Sequence, residues 1–258
     1  MNVVRRVTHR MDLQYDGTGF HGWAKQPGLE TVEGALESAF TVLLRQTPRL
    51  VVAGRTDSGV HARRQVVSLE LPPGVGTKSL VRSLNALTPE GLAVTGLYPA
   101  VQGFDARRDA VGRSYRYFIW QGAAPDPFRR RYTWYVPHAL DVGRMQAAAA
   151  HVPGRHDFTA FTPTETEHVL LRRSVDVCRW RRRGGLLWLE IEAPSFLRHM
   201  VRILVGTMVE IGRGSREPDA MRELLAGAPR TAAGPTAPPH GLFLWRIRYP
   251  GGIGAEVA

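Results

Sequence analysis

Polar and apolar residues alternate along "HRMDLQYD", residues 9–16. Met11, Leu13 and Tyr15 fall on one side and Asp12, Gln14 and Asp16 on the other, which predicts a half-buried strand. A glycine-rich loop, "GTGFHGWAKQPG", follows. The period then changes: Val32, Ala35, Leu36, Ala39, Phe40, Leu43 and Leu44 recur at helical spacing behind Thr31, a predicted cap. "QVVSLEL" predicts a strand, "TKSLVRSLNAL" a short helix and "GLAVTGLYPA" another strand. The second half repeats this mixture. "SYRYFIW", "RRSVDVCRW", "LLWLEIEA" and "LFLWRIRY" read as strands, and "DVGRMQAAAAHV", "SFLRHMVRILVGTMVEIG" and "PDAMRELLAG" as helices. "GRHDFTAFT" and the proline-glycine stretch "APRTAAGPTAPPHG" read as loops, and "RRRGG" as a hairpin turn. Strands and helices do not alternate regularly, so a doubly wound parallel sheet is disfavoured. The pattern predicts an α+β fold of two similar lobes, residues 1–105 and 106–250, with a flexible tail at 251–258.

Charge narrows the partner. Basic residues number 34 against 23 acidic, a net charge of +11, and only Lys25 and Lys78 are lysines. Arginine's planar fork suits phosphates and stacks on bases, so nucleic acid is the leading partner class. Codon bias would explain the arginines but not the excess of positive charge. Cys178 is the single cysteine, which excludes an intrachain disulfide or a multi-cysteine zinc site. No run reaches transmembrane length, and "MNVVRRVTHRMDL" lacks the apolar core of a signal peptide, so a soluble cytoplasmic protein without a membrane partner is expected.

Three stretches stand out chemically. "VVAGRTDSGVHARRQ" sets one acid, Asp57, among Arg55, His61, Arg63 and Arg64. An aspartate in such a turn can simply bond its own backbone. Asp57 and His61, four apart, could also ligate a metal, but no third ligand lies nearby in the sequence. In "FLRHMVRILVGTMVEIG" apolar residues cover nearly the whole circumference, which predicts a buried helix with Arg198 and Arg202 four apart on one face. Arg202 there either meets a carboxylate, opens onto an anion-filled cleft, or snorkels to a rim. In "RSYRYFIW", Arg113, Tyr115 and Tyr117 share a strand face, suiting either core packing or base stacking.

"YDGTGFHGWAKQ", "GRTDSGVHA", "FDARRDAVGRSYRYFI", "GRHDFTAF", "SFLRHMVRILVG" and "GPTAPPHGLFLWRIRY" occur in this order from about Leu13 to Tyr249. Together they closely resemble the tRNA pseudouridine synthase A family. Ala24, Ser58 and Ser195 stand where that family usually has glutamine, alanine and glycine, and none of these departures removes a catalytic group.

The resemblance implies the pseudouridine synthase fold, two lobes sharing a mostly antiparallel mixed sheet with a central catalytic cleft. It implies a homodimer that isomerises uridines 38, 39 and 40 in the anticodon arm of tRNA, without cofactor or metal. Asp57 would be the catalytic carboxylate, either attacking C1′ or taking the 2′ proton. Arg202, with Arg55, would stabilise that carboxylate. Tyr115 would stack on the target uracil and assist loss of the C5 proton. Arg55 would also hold the flipped nucleotide, with His61, Arg63, Arg64 and Arg198 as further substrate contacts. Two rivals remain: a non-catalytic tRNA chaperone in the same basic cleft, and a metal-dependent nuclease built on Asp57, His61 and His199.

Overall fold

The computed structural model describes residues 6–166 and 169–251. The expected tail at 251–258 lies, beyond Gly251, outside them. In chain order the elements are β1 (Val7–Tyr15), α1 (Val32–Leu44), β2 (Val51–Val52), β3 (His61–Leu71), α2 (Thr77–Leu87), β4 (Leu92–Pro99) and β5 (Gly112–Trp120). Then come β6 (Trp134–Tyr135), α3 (Val142–Ala149), β7 (Gly154–Asp157), β8 (Arg172–Val175), β9 (Val177–Arg183) and β10 (Leu186–Ala193). Helices α4 (Met200–Gly212) and α5 (Ala220–Leu224) precede the last strand, β11 (Leu242–Arg248). The fold is α+β, with helices packed on sheet. Among the described residues no helix is long and apolar enough to cross a membrane.

The chain divides into two units, Met1–Val111 with Leu244–Ala258, and Gly112–Phe243. The boundary expected from sequence lies at 105/106, with the last strand in the second lobe. Here the break falls at 111/112, and residues from Leu244 onward go with the first unit.

In the first unit the strand order is β4-β1-β3-β11, with β2 paired to β3. β1 is central and antiparallel to both neighbours, Met11 facing Val67 on one side and Leu97 on the other. Its inward side chains Met11 and Leu13 join Leu36, Phe40, Val67, Leu71 and Leu84 in the core. Helix α1 begins where the Thr31 hydroxyl accepts from Gly34 N–H at 3.2 Å. It ends at Arg45, whose φ of 52° breaks the helical path.

The register slips once between β1 and β3. Leu13 faces Gln65 and Tyr15 faces Ala62, so two residues of β3, Arg63 and Arg64, answer the single Gln14 of β1. Such a bulge turns two consecutive side chains outward and resets the alternation behind them. Arg63 and Arg64 are both exposed, while Ala62 and Gln65 on either side are buried. β3 therefore starts at His61, four residues before the strand read from the sequence.

In the second unit β5, β10 and β9 form an antiparallel run, β6 adds to β5 in parallel, and β7 and β8 make a separate two-stranded sheet. α3 packs on α4 and β9, and α4 on β5. Trp180 of β9 donates its indole N–H to the Met208 sulfur of α4 at 3.2 Å. The run expected as one strand, "RRSVDVCRW", is two. It leaves one sheet and joins the other at Asp176, whose N–H donates to Glu192 at 2.8 Å. "GRHD" within the expected loop is a strand, and the helix expected over residues 218–227 shortens to Ala220–Leu224.

The long apolar helix also starts late. His199 sits at φ 60°, ψ 0°, a left-handed conformation from which no right-handed helix continues backwards, so α4 begins at Met200. Phe196 and Leu197 look helical only because each is wanted elsewhere: Phe196 lies edge-on to Tyr115 at 5.2 Å, and Leu197 is buried. Arg198 is exposed in the turn before the helix. The expected helical face pairing Arg198 with Arg202 does not exist.

Candidate active site

Asp57 occupies the loop between β2 and β3, and its seat is built from the opposite loop after β1. Thr56 accepts from Trp23 N–H at 3.1 Å, Gly59 N–H donates to Phe20 at 3.2 Å, and Val60 N–H closes a turn onto Asp57 at 3.1 Å. The backbone is thus held on both sides of the carboxylate. Gly22, at φ +90°, lies directly beneath: a Cβ there would come 2.8 Å from the Thr56 carbonyl oxygen. Only glycine permits both that φ and that approach. Asp57 is half-buried, and Arg55 is exposed two residues before it.

Under this loop runs a buried polar chain that local sequence could not suggest. The Gln65 amide donates to the Gly54 carbonyl at 2.7 Å and to the Tyr15 hydroxyl at 3.3 Å, and its oxygen accepts from Val66 N–H at 3.2 Å. The Tyr15 hydroxyl meets the Thr56 hydroxyl at 2.8 Å. Gln65 and Tyr15, fifty residues apart in sequence, therefore grip Gly54 and Thr56, the residues flanking Arg55. Burial pushes the Tyr15 phenol up to about 12, against smaller opposing effects of its bonds to Thr56 and Gln65. Its ring is flanked by Phe20 and Trp23, with centroids at 6.5 and 6.4 Å. The one local signal was the pair Arg63–Arg64 interrupting the alternation of β3, since it marks the bulge that turns Gln65 inward.

His61 is buried, not displayed. Its Nδ1 accepts from Gly17 N–H at 2.9 Å, and an Asp16 carboxylate oxygen lies 3.1 Å from the same nitrogen. Arg63 and Arg64 lie on the bulge, Arg63 with its guanidinium carbon 6.0 Å from the Trp245 ring centre. Among the described residues no three His, Cys, Asp or Glu side chains group so as to hold a metal ion.

The second unit carries the remaining expected site residues. Tyr115 is buried on β5, its ring against Phe196. On the same face Arg113 donates to the Pro194 carbonyl at 2.6 Å, and the Tyr117 hydroxyl to that of Pro238 at 2.8 Å. Burial drives the Tyr117 phenol far above its ordinary range, against the smaller pull of the nearby Arg202 charge. Arg202 is clasped to the "GPTAPPHG" segment in both directions. Its Nε donates to Ala237 at 2.8 Å, and Ala237 N–H returns a bond to the Arg202 carbonyl at 3.1 Å. Gly206, one turn further along α4, lets that segment lie against the helix, because any Cβ there would collide with the Pro235 carbonyl oxygen. The structure therefore gathers Asp57, Arg55 and His61 with the Arg63–Arg64 bulge in one unit, and Tyr115 and Arg202 in the other. Arg198 is set apart from α4.

A family model described as tRNA pseudouridine synthase matches residues 148–250. A Bacillus subtilis protein named tRNA pseudouridine synthase A is 40% identical over 239 residues, 92% of this chain and 97% of its own length. A protein of that name from Chloroflexus aurantiacus is 43% identical, with 93% of this chain and 88% of its own covered. One from Chlorobium chlorochromatii is 40% identical over 94% of this chain and 99% of its own. Likeness at that level from one end to the other means that this chain belongs to the tRNA pseudouridine synthase A family.

Proposed function

We propose that this enzyme isomerises uridine to pseudouridine at positions 38, 39 and 40 of the tRNA anticodon stem-loop, working in the cytoplasm as a homodimer. The observation that carries this reading is the Asp57 seat: one carboxylate, half-buried, on a backbone pinned from both sides by hydrogen bonds and followed by exposed arginines. Pseudouridine formation asks for one such group. The N1–C1′ bond breaks with its electron pair going to N1, and the Asp57 carboxylate attacks C1′. The freed uracil turns over, C5 displaces the carboxylate from C1′, C5 loses its proton and N1 gains one. Atoms balance without a second reactant, unlike glycoside hydrolysis, where another carboxyl must activate water.

The other residues take positions around that step. Arg202 and Arg55 stabilise the carboxylate, and Arg55 holds the flipped nucleotide, whose extrusion costs a few kcal/mol. Tyr115 stacks on the uracil and assists loss of the C5 proton. Arg63, Arg64 and Arg198 contact the substrate, whereas the expected contact from His61 is replaced by a supporting role, because that ring is buried and holds the Gly17 loop from beneath. Arginines placed this way would meet phosphates and read shape more than base edges, which suits an enzyme accepting three neighbouring positions.

The test is to map pseudouridine on unmodified tRNA transcripts treated with the pure protein. Wild type should place it at 38, 39 and 40. Asp57→Ala should place none while binding tRNA within a few fold of wild type. Turnover by Asp57→Ala would remove that residue from the chemistry, and modification elsewhere in the tRNA would overturn the assigned positions.

A further inference from the structure

The turn at residues 126–133 of the second unit is tightly made and yet presents an apolar side chain to water. Asp126 closes it, accepting from Phe128 N–H at 2.9 Å and from Arg129 Nε at 2.8 Å. The Arg129 carbonyl then gathers Tyr132 N–H, Thr133 N–H and the Thr133 hydroxyl at 2.8, 3.0 and 3.1 Å. The base is anchored to β5, because the Arg129 guanidinium lies 4.6 Å from the Trp120 ring centre and the Trp120 indole donates to Ala124 at 3.0 Å. On this frame Phe128 is 90% exposed, and Arg130 and Arg131 are exposed beside it. A floppy loop could fold such a ring away. A turn closed by this many bonds keeps it out, which forfeits the burial a phenylalanine ordinarily gains.

The charge around the ring indicates what covers it. The only acid of the turn, Asp126, is already engaged by Arg129, so Phe128 sits in a field set by arginines. A second copy meeting this turn with its own same turn across a two-fold axis would bring like charges together. A polyanion that also offers flat unstacked faces fits both features. We propose that this turn is a docking element for tRNA, in which Phe128 stacks on an unpaired base other than the reacting uridine while Arg130 and Arg131 contact the flanking phosphates. The proposal rests on tRNA being the substrate, and it adds a contact outside the chemistry.

Its test uses the full chain with Phe128→Ala, Phe128→Trp and the double variant Arg130→Ala/Arg131→Ala. The dissociation constant for unmodified tRNA is measured across a salt series, with the rate of pseudouridine formation at saturating enzyme and the association state by sedimentation. Phe128→Ala should weaken binding about tenfold with the salt slope unchanged, as loss of one stacked base would, and Phe128→Trp should restore it. The double arginine variant should lower the salt slope by roughly one to two. All three should keep the saturating rate. Unchanged affinity in Phe128→Ala and in the double variant would overturn the proposal, as would an altered association state with unchanged affinity, which would assign the turn to a second copy. Failure of wild type to form pseudouridine would instead sink the isomerase reading, since docking is read by binding alone.

Discussion

At the scale of single residues, the group with most leverage on Asp57 is one that never touches substrate. Gln65 is fully buried and holds Gly54 directly and Thr56 through Tyr15. Replacing it with methionine keeps the volume but strips the part-buried Gly54 carbonyl of its donor and leaves the Tyr15 hydroxyl with Thr56 alone. Each group left unpaired costs about 1–3 kcal/mol. Gln65→Met should therefore unfold at lower urea. Among molecules still folded, the rate of pseudouridine formation at saturating enzyme should fall at least tenfold, with tRNA affinity nearly unchanged. A stability loss with a wild-type saturating rate would make the chain of bonds mere packing. Beyond the Arg63–Arg64 pair that marks the bulge, sequence gives no sign of this device, because its partners lie fifty residues apart and meet only where the bulge turns Gln65 inward. Asp57 and Arg55 could be singled out because an acid in a basic, glycine-bounded turn is a local contrast.

At the scale of elements, what local periodicity can express was legible and what depends on a neighbour was not. The Thr31 cap and the helix Thr77–Leu87 follow from side-chain chemistry within one or two turns. The switch of sheets at Asp176 and the late start of α4 do not, because Val175 and Val177 flank Asp176 as they would in one strand, the phase slipping only at Cys178, and apolar residues run unbroken through Phe196 and Leu197. Gly206 makes the same point in a measurable way. By propensity alone, glycine to alanine inside a helix gains up to about 1 kcal/mol. Here the new methyl meets the Pro235 carbonyl oxygen, and overpacking of this kind costs about 1–3 kcal/mol. The contact should win. Gly206→Ala should lower the urea midpoint, and by displacing the segment that clasps Arg202 it should also cut activity. A midpoint at or above wild type would mean that the segment yields freely and does not fix Arg202.

For the whole molecule, composition and burial together set the response to alkaline pH. Only two of the 34 basic residues are lysines, and arginine keeps its proton well beyond pH 11, so the positive charge barely titrates there. What does titrate differently on folding is a set of buried acids. Burial raises the Tyr15 phenol from its ordinary 10.0 to about 12, and raises the Tyr117 phenol and the Cys178 thiol as well. Each stays neutral in the fold but ionises once the chain opens. A raised folded value means stability that is complete below the unfolded value and is lost as pH climbs towards the folded one. The midpoint of urea unfolding should thus be level to about pH 8 and fall from about pH 9 as the thiol and then the phenols begin to ionise in the open chain. While a group's two states differ by a whole proton, it contributes a loss of about 1.4 kcal/mol per pH unit. Tyr117→Phe gives up the hydrogen bond to Pro238 and should be less stable than wild type at neutral pH. It also lacks one ionisable phenol, so its decline above pH 10 should be shallower and the two curves should converge. Parallel decline of the two proteins would show that Tyr117 ionises as readily folded as unfolded, contrary to its burial beneath the Pro238 segment.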